Sequence, residues 1–219
     1  MGRYGADLPF LRPFFTFRPP ISCGATAADF EKWASELFGP DLGPKVPALY
    51  QALELPTPVC GSHQDARAPG STDQPYMGAM RSCGDGAIMC RTRDLVKAAN
   101  DLGSNAYWYY FVATPLKSLN MGDLPAMGAF HGAEIPFVFG DGFELSSAGE
   151  RRLAASMGCY WSNFAATGNP NTGPCAAALA LPEWPAIGEN FTAMQLSNTS
   201  VSIRKELKSA QCNLFAQYP

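Results

Sequence analysis

His131 is the residue best placed to do chemistry in this sequence. It stands in the run Gly128-Ala129-Phe130-His131-Gly132-Ala133-Glu134-Ile135-Pro136-Phe137-Val138-Phe139-Gly140. Flanking glycines let the backbone turn sharply and let another group approach the ring. The apolar stretch from Ile135 to Phe139 is expected to anchor the loop in a core. An imidazole on a loop, held by packed structure on one side, is how a general base is presented. A buried histidine satisfied by a backbone carbonyl fits the same segment equally well. The other histidine, His63, lies in a hydrophilic run and reads as solvated. Glu134 reads as a structural ion-pair partner, and Asp85 and Asp123 as loop or cap residues.

The elements around this segment follow from periodicity and punctuation. Residues 1–22 interleave Pro9, Pro13, Pro19 and Pro20 with Phe10, Phe14, Phe15 and Phe17, a packed but irregular stretch. Those phenylalanines suit the wall of a pocket, although core is the commoner fate of aromatics. Residues 25–38 predict a helix capped by Thr26, with Phe30, Trp33, Leu37 and Phe38 on one face. Gly39-Pro40 stops it. A second short helix is expected over residues 44–55, striped by Val46, Leu49, Tyr50 and Leu53. Residues 57–85 are rich in Gly, Ser, Pro, Asp and Arg and predict a long surface loop.

Residues 87–102 predict a helix with Ile88, Leu95, Val96 and Ala99 inward, ended by Gly103. Residues 106–113 are aromatic and uncharged, as in a buried strand of a mostly parallel sheet. A long helix is expected over residues 147–167, and a strand over residues 191–196 with Phe191, Ala193 and Leu196 as strand positions. Residues 200–215 predict a helical end. Helix, strand, loop histidine, helix, strand is a piece of an α/β protein with too few strands for a whole sheet.

With 219 residues and 47% apolar content, the chain can bury one sizeable core. Its net charge is −3 and its basic residues are scattered, which leaves no footprint for nucleic acid or an anionic membrane. No apolar run approaches the roughly 18–20 residues of a membrane span. Seven cysteines are many for a cytosolic enzyme, and their odd number leaves at least one thiol unpaired. Asn190-Phe191-Thr192 and Asn198-Thr199-Ser200 are N-glycosylation sequons. Cysteines and sequons together favour the secretory pathway, whereas the start lacks the basic and apolar regions of a signal peptide. Ala6 stands where a myristoylation sequence wants Ser or Thr. The expectation is a true N-terminus elsewhere.

The segment from Gly128 to Gly140 resembles the histidine segment of the type B carboxylesterase and cholinesterase family. Its members carry a similar His-Gly-x-(Asp/Glu)-(Ile/Leu)-Pro-(Phe/Tyr)-x-Phe-Gly run. Tyr160-Trp161-Ser162-Asn163-Phe164-Ala165 and Thr167-Gly168-Asn169-Pro170-Asn171 are similar to that family's following helix and turn. Glu183-Trp184-Pro185 and Ala210-Gln211-Cys212-Asn213-Leu214-Phe215 match as well, in order, so the resemblance runs from about Asp85 to the C-terminus. It implies an α/β-hydrolase fold, present as its C-terminal part: one partial domain over residues 1–219 with an incomplete sheet. It also implies a triad in the chain order serine, acid, histidine. His131 matches the triad histidine, the general base that takes the serine proton and returns it to the leaving alcohol. That chemistry calls for no cofactor and no metal.

The family's acid lies well upstream in an Asp-Glu-Gly-like turn. Gly5-Ala6-Asp7 is the nearest remnant, which makes Asp7 the candidate acid although no glutamate is present. No serine has glycines on both sides as in Gly-x-Ser-x-Gly; Ser147 comes nearest, with Gly149 after it but Leu145 before it. The Gly-rich oxyanion loop is also missing, a loss worth roughly 10²–10³ in rate. The chain therefore reads as the C-terminal part of an esterase, inactive alone. Its partners would be a carboxylic ester in the full-length parent and the missing N-terminal half. A non-catalytic adhesion or binding protein of the same family is the alternative, and a cysteine nucleophile paired with His131 finds no recognisable elbow. The resemblance further implies a disulfide between Cys90 and Cys212. Cys60 and Cys83 bracket the long loop as a second pair. Cys159, on a packed helix face, reads as a reduced thiol, and Cys23 and Cys175 as free or paired with each other.

Overall fold

The computed structural model describes residues 21–22, 24–50, 74–116, 128–140 and 144–217. The chain forms two compact units. The first holds the described residues up to Thr92 together with those from Lys208 onward, and the second runs from Arg93 to Leu207.

In the first unit, helix α1 (Ala27–Phe38) starts at a capping box. Thr26 Oγ1 accepts the Asp29 N–H at 3.2 Å and the Asp29 carboxylate accepts the Thr26 N–H at 2.8 Å, satisfying two end donors at once. Phe30, Ala34 and Phe38 form its buried face. Two tight 3-10 turns, Gly43–Lys45 and Pro47–Tyr50, replace the described part of the helix expected over residues 44–55, whose residues 51–55 lie outside the described ones. Pro44 and Pro47 each remove a backbone donor that a continuous helix needs. Any Cβ at Gly43 would overlap the backbone of Ser35, so only glycine allows that turn to lie on α1.

The expected loop over residues 57–85 is corrected where it is described. Helix α2 spans Gln74–Gly84 and continues through a π-helical turn, Asp85–Met89. Small residues carry its packing: Gly78 faces the Phe30 ring so closely that a Cβ would lie 2.6 Å from it, and Ala79 is fully buried. A contact made of glycine and alanine leaves no stripe of large apolar residues to detect. Asp85 is likewise no loop residue. It is buried in the π turn, accepts the Tyr50 hydroxyl at 2.8 Å and pairs with Lys208 at 2.9 Å. Helix α3 (Cys90–Asp101) opens at Cys90, which is disulfide-bonded to Cys212 of the last helix, with the Cα atoms 5.0 Å apart.

In the second unit, β1 (Tyr109–Phe111) pairs in parallel with β2 (Ala193–Leu196), and β2 pairs antiparallel with β3 (Val201–Arg204), in the order β1-β2-β3. The crossover from β1 to β2 carries α4 (Ile135–Phe139), α5 (Ala148–Thr167) and α6 (Pro174–Ala178). The chain closes in the first unit with α7 (Ser209–Phe215). The expected strand over residues 106–113 is therefore short, though ladder bonds flank it: Met194 N–H to the Trp108 carbonyl and Val112 N–H to the Leu196 carbonyl, both 2.9 Å. Helical residues 200–215 are corrected to a strand followed by a helix, since Val201 and Ile203 alternate with Ser202 and Arg204. Phe191 lies in the turn before β2 with φ +44°, not in a strand.

The inward stripe expected over residues 87–102 is also displaced. Ile88 and Leu95 are 44% and 71% exposed, while Arg93 is buried with its guanidinium 4.4 Å from the Phe191 ring centroid. Attraction to the ring face and burial of the long aliphatic stem together turn Arg93 inward. The core of this unit joins Ala113, Phe137, Leu153, Met157, Tyr160, Trp184, Met194 and Leu196. Tyr160 and Trp184 pack edge to face at 5.1 Å, and the Tyr160 hydroxyl donates to the Pro182 carbonyl at 2.6 Å.

Candidate active site

His131 lies on the turn that leads into α4, and its side chain is exposed. Gly128 and Gly132 on either side adopt φ +63° and +85°, the left-handed region in which glycine carries no Cβ penalty. The turn is closed by Ala133 N–H to the Phe130 carbonyl at 3.0 Å and by Ile135 N–H to the Gly132 carbonyl at 3.2 Å. Its anchors are Ala133, Pro136 and Phe137, all buried, with the Phe137 ring 5.3 Å from that of Phe111 on β1. The apolar anchor expected from the sequence is thus half of the run. Ile135 and Phe139 point outward at 53% and 77% exposure. A five-residue helix buries one face only, so alternating members of an apolar run must face out.

Glu134 does not pair with His131. Burial first, then the nearby Glu134 charge, hold the Tyr109 phenol of β1 above its usual range. Among the described residues no carboxylate is hydrogen-bonded or ion-paired to the His131 imidazole. Asp7, the candidate acid, lies outside the described residues, as do His63, Asp123, Phe10, Phe14, Phe15 and Phe17. Ser147 is the N-cap of α5: its hydroxyl accepts the Glu150 N–H at 3.0 Å, a structural duty.

Glu150 is a residue that the sequence reading passed over. It is fully buried, and its carboxylate accepts the Leu116 N–H at 2.9 Å, the Ser147 N–H at 2.8 Å and the Ser146 hydroxyl at 3.1 Å. Burial alone would raise its carboxyl, but these bonds win and hold it below the ordinary glutamate range. They tie the exit of β1 to the start of α5. The pattern Ser147-Ala148-Gly149-Glu150 was the available signal. Asn171 is another: its amide bonds the Trp184 N–H at 2.7 Å and the Trp184 carbonyl at 2.9 Å.

The cysteine assignments divide. Cys90 and Cys212 are joined, whereas Cys159 is no free thiol: it is bonded to Cys175, with the Cα atoms 5.9 Å apart. Helix α6 brings Cys175 back to the buried face of α5, a return that no spacing announces. Cys83 is a free, buried thiol, so the pairing with Cys60 is not made; Cys60 and Cys23 lie outside the described residues. Burial pushes the Cys83 thiol up to about 11. Among the described residues no cluster of metal-ligating side chains occurs, and no helix is long and apolar enough to cross a membrane.

A parallel strand pair joined by a helical crossover, with a histidine held out on a glycine-flanked turn, is the layout of an α/β protein that presents chemistry on its loops. The chain belongs to the carboxylesterase family, whose model matches residues 59–215, and that family implies the α/β-hydrolase fold. It is 43% identical over 84 residues to carboxylesterase 4A of Bos taurus, covering 36% of this chain and 14% of that protein. Acetylcholinesterase of Electrophorus electricus is 36% identical over 100 residues, covering 42% and 15%. Cocaine esterase of Homo sapiens is 35% identical over 109 residues, covering 47% and 18%. The matches thus span less than a fifth of each relative's length.

Proposed function

We propose that this chain supplies the C-terminal part, and the general-base histidine, of a serine carboxylesterase. The observation that carries the proposal is His131, exposed on a turn fixed by positive-φ glycines and buried anchors, within the sequence run shared with the family. An imidazole so placed can take the proton of a hydroxyl brought to it and return it to the departing alcohol. The relatives are named as esterases of several kinds, which supports a carboxylic ester as substrate class. The nucleophile and oxyanion donors come from polypeptide outside these 219 residues, because no Gly-x-Ser-x-Gly occurs within them. Asp7 is the triad acid in this proposal. β1 is an open edge among the described residues, and exposed Phe139 and Ile135 are apolar surface that such a partner segment would cover. The two disulfides among the described residues fit folding in an oxidising compartment, hence secretion.

The missing nucleophile motif favours one second reading, a non-catalytic binding protein on the same fold. Kinetics on the complete enzyme separate the two. His131→Ala is expected to lower kcat/KM for a simple ester by roughly 10⁴–10⁶ with an unchanged circular dichroism spectrum, since triad members act as a unit. A complete protein with no turnover at all supports the binding reading. Activity within about tenfold of the parent removes His131 as general base.

A further inference from the structure

We propose that Asn190 alone of the two sequons carries an N-linked glycan in the folded protein, and that Asn198 is a structural amide that closes the sheet. Asn198 lies in the loop Ser197–Ser200 between β2 and β3. Its Oδ1 accepts the Thr114 N–H at 2.9 Å and its Nδ2 donates to the Thr114 carbonyl at 2.8 Å. Thr114 follows β1 by three residues, and the last backbone rung before it is Val112 N–H to the Leu196 carbonyl at 2.9 Å. The side-chain amide therefore adds one more rung to the parallel ladder, in place of a backbone that has already turned away.

Glycan transfer forms a bond between Nδ2 and C1 of the sugar. It breaks the C1–O bond to the pyrophosphate of a lipid-linked oligosaccharide donor and releases one amide proton. One N–H survives, and its position decides the outcome. An amide that bonds one residue's N–H and C=O at once must use the hydrogen on the same side of its C–N bond as its oxygen. In the favoured trans form of a substituted amide, that side is taken by the substituent and the remaining hydrogen lies opposite. A sugar on Asn198 would occupy the place of the bond to Thr114. The loop has no room to swing away inward, because a Cβ at Gly149 of α5 would already overlap the Asn198 carbonyl oxygen.

Asn190 differs in each respect. It is exposed at a turn, and among the described residues no hydrogen bond engages its side-chain amide. Its backbone is fixed instead. The Asn190 carbonyl accepts the Glu206 N–H at 2.7 Å, the Thr192 N–H reaches the Ile187 carbonyl at 2.8 Å, and the Phe191 ring lies 4.4 Å from the Arg93 guanidinium. A glycan there extends into solvent and disturbs no packed group.

The test expresses the full chain behind a secretory leader in eukaryotic cells. Glycans are removed enzymatically in heavy-oxygen water, so that each occupied asparagine becomes a labelled aspartate, and soluble and retained fractions are mapped separately. Label at Asn190 is expected in both fractions, removed by Thr192→Ala and unaffected by Ser200→Ala. Label at Asn198 is expected only in retained chains. Equal occupancy of Asn198 in soluble and retained protein, or an unlabelled Asn190, overturns the proposal. The structural half has its own readout in unglycosylated protein. Exchange of the Thr114 amide should quicken about tenfold in Asn198→Ala and stay unchanged in Ser200→Ala; unchanged exchange in Asn198→Ala overturns that half.

Discussion

Exposure sorts the polar residues of the second unit by task. His131 and Asn190 face solvent, whereas Glu150, Asn163 and Asn198 each bond backbone groups of another segment. Sequence pointed to His131 because glycines and a proline mark its turn, and those residue types are legible one by one. It could not rank the asparagines or the thiols, because their fates depend on which backbone comes near. Helical phase alone puts Cys159 in a reduced core, and the short helix α6 makes it half of a disulfide. Among the described residues Cys83 is the thiol that is free. Being buried, with its pKa pushed up to about 11, it should alkylate at pH 8 at least roughly 10²-fold more slowly in native than in denaturant-unfolded protein. The unfolded thiol ionises near its ordinary value of about 8.5, so stability should fall as pH rises from there towards the folded value. Equal alkylation rates in the two states would show that the site is open.

At the scale of elements, helices with strong ends were legible and helices with small faces were not. Thr26 and Ser147 cap α1 and α5 where the sequence placed their starts, and Gly168 with φ +72° stops α5. Helix α2 escaped because Gly78 and Ala79 do its packing, and α3 turned a different face inward because Arg93 stacks on Phe191. The capping box of α5 also anchors the exit of β1 through Glu150. Removing that carboxylate takes the buried acceptor from the Leu116 and Ser147 N–H groups, so Glu150→Ala should cost about 2–4 kcal/mol in urea unfolding at pH 7. Glu150→Gln should cost less. The folded carboxyl titrates below its unfolded value. Its contribution is therefore complete above about pH 4.3, is lost as pH falls through the lower folded value, and should vanish from the difference between parent and variant in strong acid. A pH-independent difference would assign the loss to packing alone.

At the scale of the molecule, each unit has its own core, and one disulfide holds the C-terminal helix in the first. Cys90 and Cys212 are 122 residues apart, for which loop entropy gives roughly 4–5 kcal/mol as an upper figure. The α/β class was legible in the aromatic strand and the long helix after the histidine. The extent of the sheet was not, because strands of three and four residues carry little pattern of their own. The proposed function has this chain bring a general base without its nucleophile. It is tested most directly by treating the 219-residue chain with a fluorophosphonate and weighing the intact product. The expected result is no adduct, in the parent and in His131→Ala alike, while a complete esterase control is labelled stoichiometrically. A stoichiometric adduct on one of this chain's own serines, lost in His131→Ala, would contradict the claim and place the whole catalytic pair within these residues.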